Sequence, residues 1–238
     1  KGSTGNMSYY TKIMAPSRTK DQVLQQGTEF CQAKTKAESL EIQKRNGVRY
    51  SELLRLPYYD LVRMSITDPM HTKWLGMVRN EIKLCISKLT KSQLTRFNSR
   101  IKKITVPYDV GRLPSDWNDQ SDFNGMTAQQ WKNFALIYAR PCFSGLLPQN
   151  AYKSICLLCE IVELITKPVF NDDDNLKLYR LLHEHHKIFE TVYGKWQVSV
   201  NYHMALHIPE VIADYGPPQV YWCFFYERMN GMLSDISC

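Results

Sequence analysis

The sequence has no long uncharged apolar stretch and none of the common catalytic signatures. No run of about 18 uncharged apolar residues occurs, so no membrane-spanning segment is expected. A glycine-rich phosphate loop, a Gly-x-Ser-x-Gly elbow and a His-Glu-x-x-His motif are all missing, which excludes the usual forms of those sites. The chain opens Lys-Gly-Ser-Thr-Gly, without Met or an apolar h-region. We therefore expect a fragment of a longer polypeptide, and not a signal-bearing start.

Cysteine is present but has no regular spacing. There are seven cysteines, an odd number, and most lie among apolar residues. This pattern predicts reduced, buried thiols in an intracellular protein. Cys156 and Cys159 resemble half of a zinc knuckle, but no second cysteine pair follows them. We interpret this pair as core packing.

The bulk composition predicts a folded chain with a weak preference for polyanions. Hydrophobic residues make up 44% of the 238 residues, enough for one large domain or two small ones. The 30 Lys and Arg exceed the 23 Asp and Glu, which gives a net charge of +7. Such a surplus favours partners such as nucleic acid, but it is common in proteins that bind none.

Helical periodicity and capping signals dominate the chain, so we predict a mainly α fold with few or no strands. Residues 1–47 form a polar, basic leader, and residues 48–238 carry most of the predicted helices, divided into 69–195 and 196–238. A turn-rich loop covers 105–126. The best strand candidate runs from Trp196 to Tyr202, where apolar and polar residues alternate.

The stretch Asp-Pro-Met-His places Asp68 and His71 three positions apart at a predicted helix start. Asp68 is suited to cap the helix, and Pro69 to its first position. At this spacing the two side chains share a face and could bind one metal ion. The alternative is a capping aspartate with a histidine packed against it, which is the more common arrangement.

Two further histidine groups raise the same question. His203 and His207 share a face if one helix covers both, although Pro209 disfavours helix just before it. Asp68, His71, His203 and His207 would together make one tetrahedral metal site if the two pairs met; the alternative is two partly buried histidines. The run His-Glu-His-His at 183–186 is interpreted as a solvated or boundary face.

Glu227 follows a run of aromatic residues and has no cation three or four positions away on its helix. A carboxylate in such surroundings needs a distant cation, a hydrogen-bond network or a metal ion. It is either a structural glutamate paired with an arginine such as Arg63 or Arg228, or part of a catalytic or metal site.

Several blocks of the sequence resemble one family of mobile-element enzymes. These blocks are LPYYDLVRMSITDPMHTKWLG, MTAQQWKNFALIYARPCF and NYHMALHIPEVIADYGPPQVYWCFFYERMNG, in that order from about residue 47 to the C-terminus. They resemble the C-terminal half of CACTA-type (En/Spm-like) DNA transposases. The Asp-Pro-Met-His and Glu-Arg-x-Asn-Gly blocks are the most specific.

The resemblance implies an RNase H-like core interrupted by a helical insertion. Members of that family cut and transfer DNA strands with two Asp and one Glu that hold two divalent ions, Mg²⁺ or Mn²⁺. Glu227 matches the closing Glu. Asp68, His71, His203 and His207 match positions of a structural zinc-type site, although Ala205 stands where a third histidine is frequent. The implied partners are transposon-end DNA and a second copy of the chain, in the nucleus.

Two departures qualify this expectation. Neither upstream aspartate block is present in the 238 residues, and Asp60 and Asp68 lie too far along to replace the second. We therefore expect this chain alone to be inactive in cleavage. A decayed or domesticated helical module that binds DNA or protein without catalysis is the main alternative, and a purely structural zinc-stapled domain is a third. The cations that would contact DNA phosphates lie on one predicted basic helix: Lys91, Arg96, Arg100, Lys102 and Lys103.

Overall fold

The computed structural model describes residues 18–111, 113–114, 117–118, 123 and 125–234. The chain divides into two compact units, whose described parts are 18–66 and the residues from Thr67 onward. The predicted mainly α fold is confirmed, since helices dominate both units and no strand occurs in the described ranges. Within those ranges no helix combines the length and apolarity that crossing a bilayer requires. The first 17 residues of the predicted leader lie outside the described part.

The first unit is a pair of capped helices followed by a short turn. Helix α1 covers Lys20–Gln32 and α2 covers Lys36–Asn46, and Thr19 and Thr35 cap their first turns. Gly47 ends α2 in the left-handed conformation, with φ of 68°, as the Asn-Gly stop predicts. A 3₁₀ turn, Glu52–Arg55, completes the regular structure of this unit.

The second unit begins with one long helical rod that contains His71, Trp74 and Glu81. Its first part, Met70–Val78, is π-helical, and it continues directly into α3, Arg79–Ser87. Helix α4 follows at Lys91–Lys103, capped by Thr90. After a 3₁₀ turn at Tyr108–Val110, part of the turn-rich loop lies outside the described residues.

The middle helices supply a large part of the core of the second unit. Helix α5, Ala128–Asn133, passes through a π-helical turn, Phe134–Tyr138, into α6, Ala139–Phe143. Helices α7, Gln149–Ile165, and α8, Asp172–Tyr193, pack along each other. Cys159 is buried on α7 and Cys156 is half-buried, so the interpretation of this pair as packing is confirmed for Cys159.

The predicted strand from Trp196 to Tyr202 is wrong. A 3₁₀ turn covers Lys195–Gln197, and α9 runs from Val200 to Leu206. Ser199 has the extended conformation of a residue before a helix, and Tyr202 is fully buried. Alternation over seven residues fits a helix with one buried position as well as a strand. Helix α10, Ile208–Tyr215, a turn at Pro218–Val220 and α11, Phe224–Ser234, end the described chain.

A buried polar network joins α3, α7 and α8, and it corrects the interpretation of the His-Glu-His-His run. His185 and His186 are buried and do not form a solvated face. Glu81 receives hydrogen bonds from Ser154 Oγ at 2.6 Å and lies 2.7 Å from His185 Nε2. Both ring nitrogens of His186 contact main-chain carbonyls, of Leu182 at 2.7 Å and Tyr202 at 2.5 Å. Burial lowers the pKa of His186 to about 3, and this effect outweighs that of the two carbonyls, which favour the protonated ring.

Candidate metal centre

Asp68 caps the π-helical rod, as its position before Pro69 predicts. One carboxylate oxygen, Oδ1, accepts the Met70 N–H at 3.1 Å, and the other, Oδ2, accepts the His71 N–H at 3.2 Å. The side chain is 17% exposed. Because both oxygens are held by main-chain donors, the carboxylate is fixed in place before any ligand arrives.

His71 lies between two carboxylates. Its Nδ1 is 2.5 Å from Asp68 Oδ2, and its Nε2 is 2.9 Å from Glu227 Oε1. A neutral imidazole can donate to only one of these oxygens, so the second contact needs either a second proton or a cation in its place. The partner of Glu227 in this structure is therefore a histidine 156 positions away, not an arginine.

Cys223 is the third side chain of this centre, and its role as a ligand was not predicted from the sequence. Its N–H donates to Asp68 Oδ1 at 3.2 Å. One ligand atom each of Asp68, His71 and Cys223 lies within 4.8 Å of the other two. Burial, with Asp68 next, raises the pKa of the Cys223 thiol to about 11. Cys223 stands four positions before Glu227, the spacing at which two residues share one face of a helix. This spacing was the signal in the sequence that could have pointed to Cys223.

Aromatic packing holds the start of α11 beside this centre. Trp222 and Phe224 contact the buried ring of Trp74, with centroids 5.7 and 5.1 Å apart. Lys132 Nζ lies 5.4 Å from the Trp222 ring and 5.7 Å from the Phe224 ring. Trp74 belongs to the same π-helical stretch as His71, so one element positions both the histidine and the helix that carries Glu227.

The rest of α11 presents apolar side chains to solvent. The exposed members are Phe225, Tyr226, Met229, Met232 and Leu233. Glu227 itself is 52% exposed. The helix is therefore fixed at its first turn and open along the remainder.

His203 and His207 form a separate pair. Their Nε2 atoms are 3.4 Å apart, and His207 Nδ1 is 3.0 Å from Glu210 Oε2. Burial, followed by the neighbouring His207, lowers the pKa of His203. In the described part of the chain, the group that brings three ligand-bearing residues together is Asp68, His71 and Cys223. Among the described residues, His203 and His207 do not join Asp68 and His71 in a group of ligand atoms within 4.8 Å of one another.

The two-metal site that the resemblance implies is not assembled either. Such a site needs three carboxylates, and Glu227 is the one that the resemblance assigns to this chain. No cluster of ligand-bearing residues around Glu227 occurs in the described ranges beyond its contact with His71. The residues present therefore do not fit a pair of divalent ions.

The basic helix α4 divides into exposed cations and one that supports the fold. Lys91, Arg96, Lys102 and Lys103 are exposed. Arg100 is half-buried, and its Nη1 donates to the carbonyls of Pro141, Cys142 and Ser144, at 3.3, 2.9 and 2.6 Å. These are carbonyls at the end of α6, so Arg100 caps that helix. We therefore assign Arg100 a structural role at the end of α6, in place of the expected phosphate contact.

Comparisons with models of protein families, with curated proteins and with solved structures found no match. The site is therefore interpreted from its own geometry.

Proposed function

We propose that this chain is the helical insertion and closing helix of a CACTA-type DDE transposase region, with Glu227 as the closing catalytic carboxylate of an RNase H-like core. In the intact protein that core would cleave and transfer DNA strands with Mg²⁺ or Mn²⁺. The chain alone, with one of three carboxylates, is expected to bind DNA without cutting it.

The observation that carries this proposal is the contact between His71 and Glu227 at 2.9 Å. It joins the two sequence blocks that are most specific to the family, although 156 residues separate them. The packing of Trp222 and Phe224 on Trp74 supports the same pairing of blocks. A chance resemblance of two short motifs gives no reason for them to meet in the fold.

The DNA partner is supported by the exposed cations of α4. Lys91, Arg96, Lys102 and Lys103 lie within 13 residues of one helix. Lys102 and Lys103 are in its last turn, and the helix has no acidic residue in its first turn. Phosphate contacts by such side chains release counterions and give binding that weakens steeply with salt.

The test of catalysis is a DNA strand-cleavage assay on a protein that carries this chain together with the family's two aspartate blocks. Glu227→Gln should abolish cleavage and leave the far-ultraviolet circular dichroism unchanged, because the side chain is half exposed. Glu184→Gln, an exposed glutamate paired with Lys153 on the surface, is the matched control and should cleave normally. Cleavage at the wild-type rate by Glu227→Gln would refute the proposal.

A non-catalytic binding module is the second candidate, and the open apolar face of α11 favours it. Exposed aromatic and methionine side chains in one row are typical of a surface that contacts another macromolecule. Under this alternative the aspartate blocks are absent from the whole protein, so Glu227→Gln has no cleavage to abolish.

The DNA-binding part of the proposal can be tested on the chain itself. Replacing Lys91, Arg96 or Lys103 by Ala should each reduce the slope of log affinity against log salt by about 1. Lys153→Ala, which removes a cation from the surface of α7, is the control and should leave the slope unchanged. Equal effects from all four substitutions would show that only net charge matters and that α4 is no interface.

A further inference from the structure

The side chains of Asp68, His71 and Cys223 bring an oxygen, a nitrogen and a sulfur ligand to one place on the surface of the second unit. We propose that these three residues bind a single thiophilic divalent ion, of which Zn²⁺ is the biological candidate. This set differs from the one that the family resemblance implies, because Cys223 replaces the pair His203 and His207. The inference concerns ion binding by this chain and holds whether or not the intact protein cuts DNA.

The three ligand atoms are close enough to share an ion, provided that the 2.5 Å contact between His71 Nδ1 and Asp68 Oδ2 opens to admit it. A tetrahedral Zn²⁺ with ligands at about 2.0–2.3 Å places its ligand atoms roughly 3.3–3.8 Å apart. The three ligand atoms here already lie within 4.8 Å of one another. Asp68 is held by two main-chain N–H groups and Cys223 donates its own N–H to the same carboxylate. His71 is 55% exposed, which leaves a path for the ion and a fourth position for water.

We assign Glu227 a supporting role at this site, as the carboxylate that contacts the ring nitrogen of His71 facing away from Asp68. His71 Nδ1 faces Asp68, and Nε2 faces Glu227 Oε1. When Nδ1 binds the ion, the Nε2–H donates to Glu227, which is the common arrangement of a carboxylate behind a metal-bound histidine. The Cys223 S–H bond is replaced by a sulfur–metal bond, and its proton passes to water. The ion thereby links the start of the π-helical rod to the first turn of α11.

Donor chemistry decides the class of ion. A thiolate and an imidazole favour Zn²⁺ and similar ions, whereas Mg²⁺ prefers oxygen ligands and keeps its own water. The site should therefore bind Zn²⁺ in preference to Mg²⁺, the ion that DNA strand cleavage would require.

The test is a Co²⁺ titration of the purified 238-residue chain, followed by absorption spectroscopy. One equivalent should bind and give the near-ultraviolet charge-transfer band of a cobalt–thiolate bond, together with the visible bands of a tetrahedral ion. Zn²⁺ should displace it stoichiometrically, and Mg²⁺ in large excess should not.

Substitutions identify the ligands. Cys223→Ser should remove the charge-transfer band, and His71→Ala and Asp68→Asn should each weaken binding at least 10-fold. Glu227→Gln should weaken binding about 10-fold to 100-fold and keep the band, as expected for an outer-shell partner. Cys31→Ser, which removes an exposed thiol of the first unit, is the control and should change nothing.

His203→Ala and His207→Ala separate this proposal from the family's ligand set. Both variants should retain the band and bind Co²⁺ within about 3-fold of the unmodified chain. Loss of binding in either variant, binding without a thiolate band, or displacement by Mg²⁺ would overturn the proposal. Circular dichroism of every variant checks the fold. If Cys223→Ser unfolds, Co²⁺ binding is compared in Asp68→Asn and His71→Ala instead. Binding at least 10-fold weaker in both supports the proposal, and unchanged binding overturns it.

Discussion

Among the described residues of the second unit, two contacts join a histidine to a glutamate far away in the sequence, with nearly equal distances and opposite surroundings. His185 Nε2 lies 2.7 Å from Glu81 Oε2, and both side chains are fully buried. His71 Nε2 lies 2.9 Å from Glu227 Oε1, and both are more than half exposed. The same helical rod supplies His71 at its start and Glu81 ten positions later. The same two residue types can therefore have different roles, and the burial of the pair decides which role it has.

The buried contact has a second partner on its carboxylate and is closed to ligands, although His185 Nδ1 has no hydrogen-bond partner among the described residues. Glu81 also receives Ser154, and the rings of His185 and Tyr202 are stacked with centroids 6.1 Å apart. The exposed contact has a thiol and a second carboxylate beside it and an open side toward solvent. We therefore expect the first to stabilise the fold and the second to bind an ion.

The largest expected effect comes from breaking the buried contact. Glu81→Ala leaves His185 and Ser154 without their partner in the interior, which should cost about 3–5 kcal/mol of the free energy of unfolding. Chemical denaturation followed by circular dichroism measures it. A loss below about 1 kcal/mol would show that the buried pair is not structural.

A pH titration of stability tests the same buried region. Burial, with His185 and Lys73 next, lowers the pKa of His186 to about 3 from the usual 6.5. At this residue the unfolded chain therefore binds more protons than the folded one between these values, so the contribution of His186 to stability is full above about pH 6.5 and falls as the pH decreases. The expected loss is about 1.4 kcal/mol for each pH unit below 6. In His186→Gln that slope should be reduced, and an unchanged slope would contradict the assignment.

The rod between the two contacts can be perturbed at Gly76. A Cβ at this position would lie 2.6 Å from Asn201 Nδ2 and 3.0 Å from Asn201 Cβ, so α9 would have to shift. Gly76→Ala should lower the free energy of unfolding by about 1–3 kcal/mol. Gly231→Ala is the control, because nothing lies within 4 Å of a Cβ there, and it should be neutral or slightly stabilising. Equal effects at both glycines would contradict the close packing of α9 on the rod.

The smallest expected effect comes from breaking the exposed contact in the absence of metal. Glu227→Ala should change the free energy of unfolding by less than about 1 kcal/mol, since exposed ion pairs contribute little. Measuring the free energy of unfolding of Glu227→Ala and of Glu81→Ala by the same method compares the two contacts directly. A loss as large as that of Glu81→Ala would show that the two contacts play the same role.

Local features of the fold could be predicted from the sequence, whereas the contents of the site could not. The cap at Asp68 and the left-handed stop at Gly47 both follow from residues within four positions of each other. The burial of His185 depends on Glu81, 104 residues away, and the role of Cys223 depends on Asp68, 155 residues away. Helical spacing carries no information about such partners.

The strand predicted at Trp196–Tyr202 failed for a related reason. A period of two over seven residues does not separate a strand from a helix with one buried face, and the decision depended on Tyr202 packing against the rings of α8. Tertiary contacts of this kind override local propensity. The same limit applies to the metal ligands, because spacing does not show whether Asp68 and His71 meet His203 and His207 or another side chain such as Cys223.

X-ray absorption spectroscopy at the zinc edge, on the chain loaded with one equivalent of Zn²⁺, tests the central claim most directly. The account predicts one sulfur ligand at about 2.3 Å and nitrogen or oxygen ligands at about 2.0–2.2 Å. The sulfur shell should disappear in Cys223→Ser and remain in His203→Ala. A coordination shell of nitrogen and oxygen alone in the unmodified chain would contradict the claim that the exposed contact is a metal centre completed by Cys223.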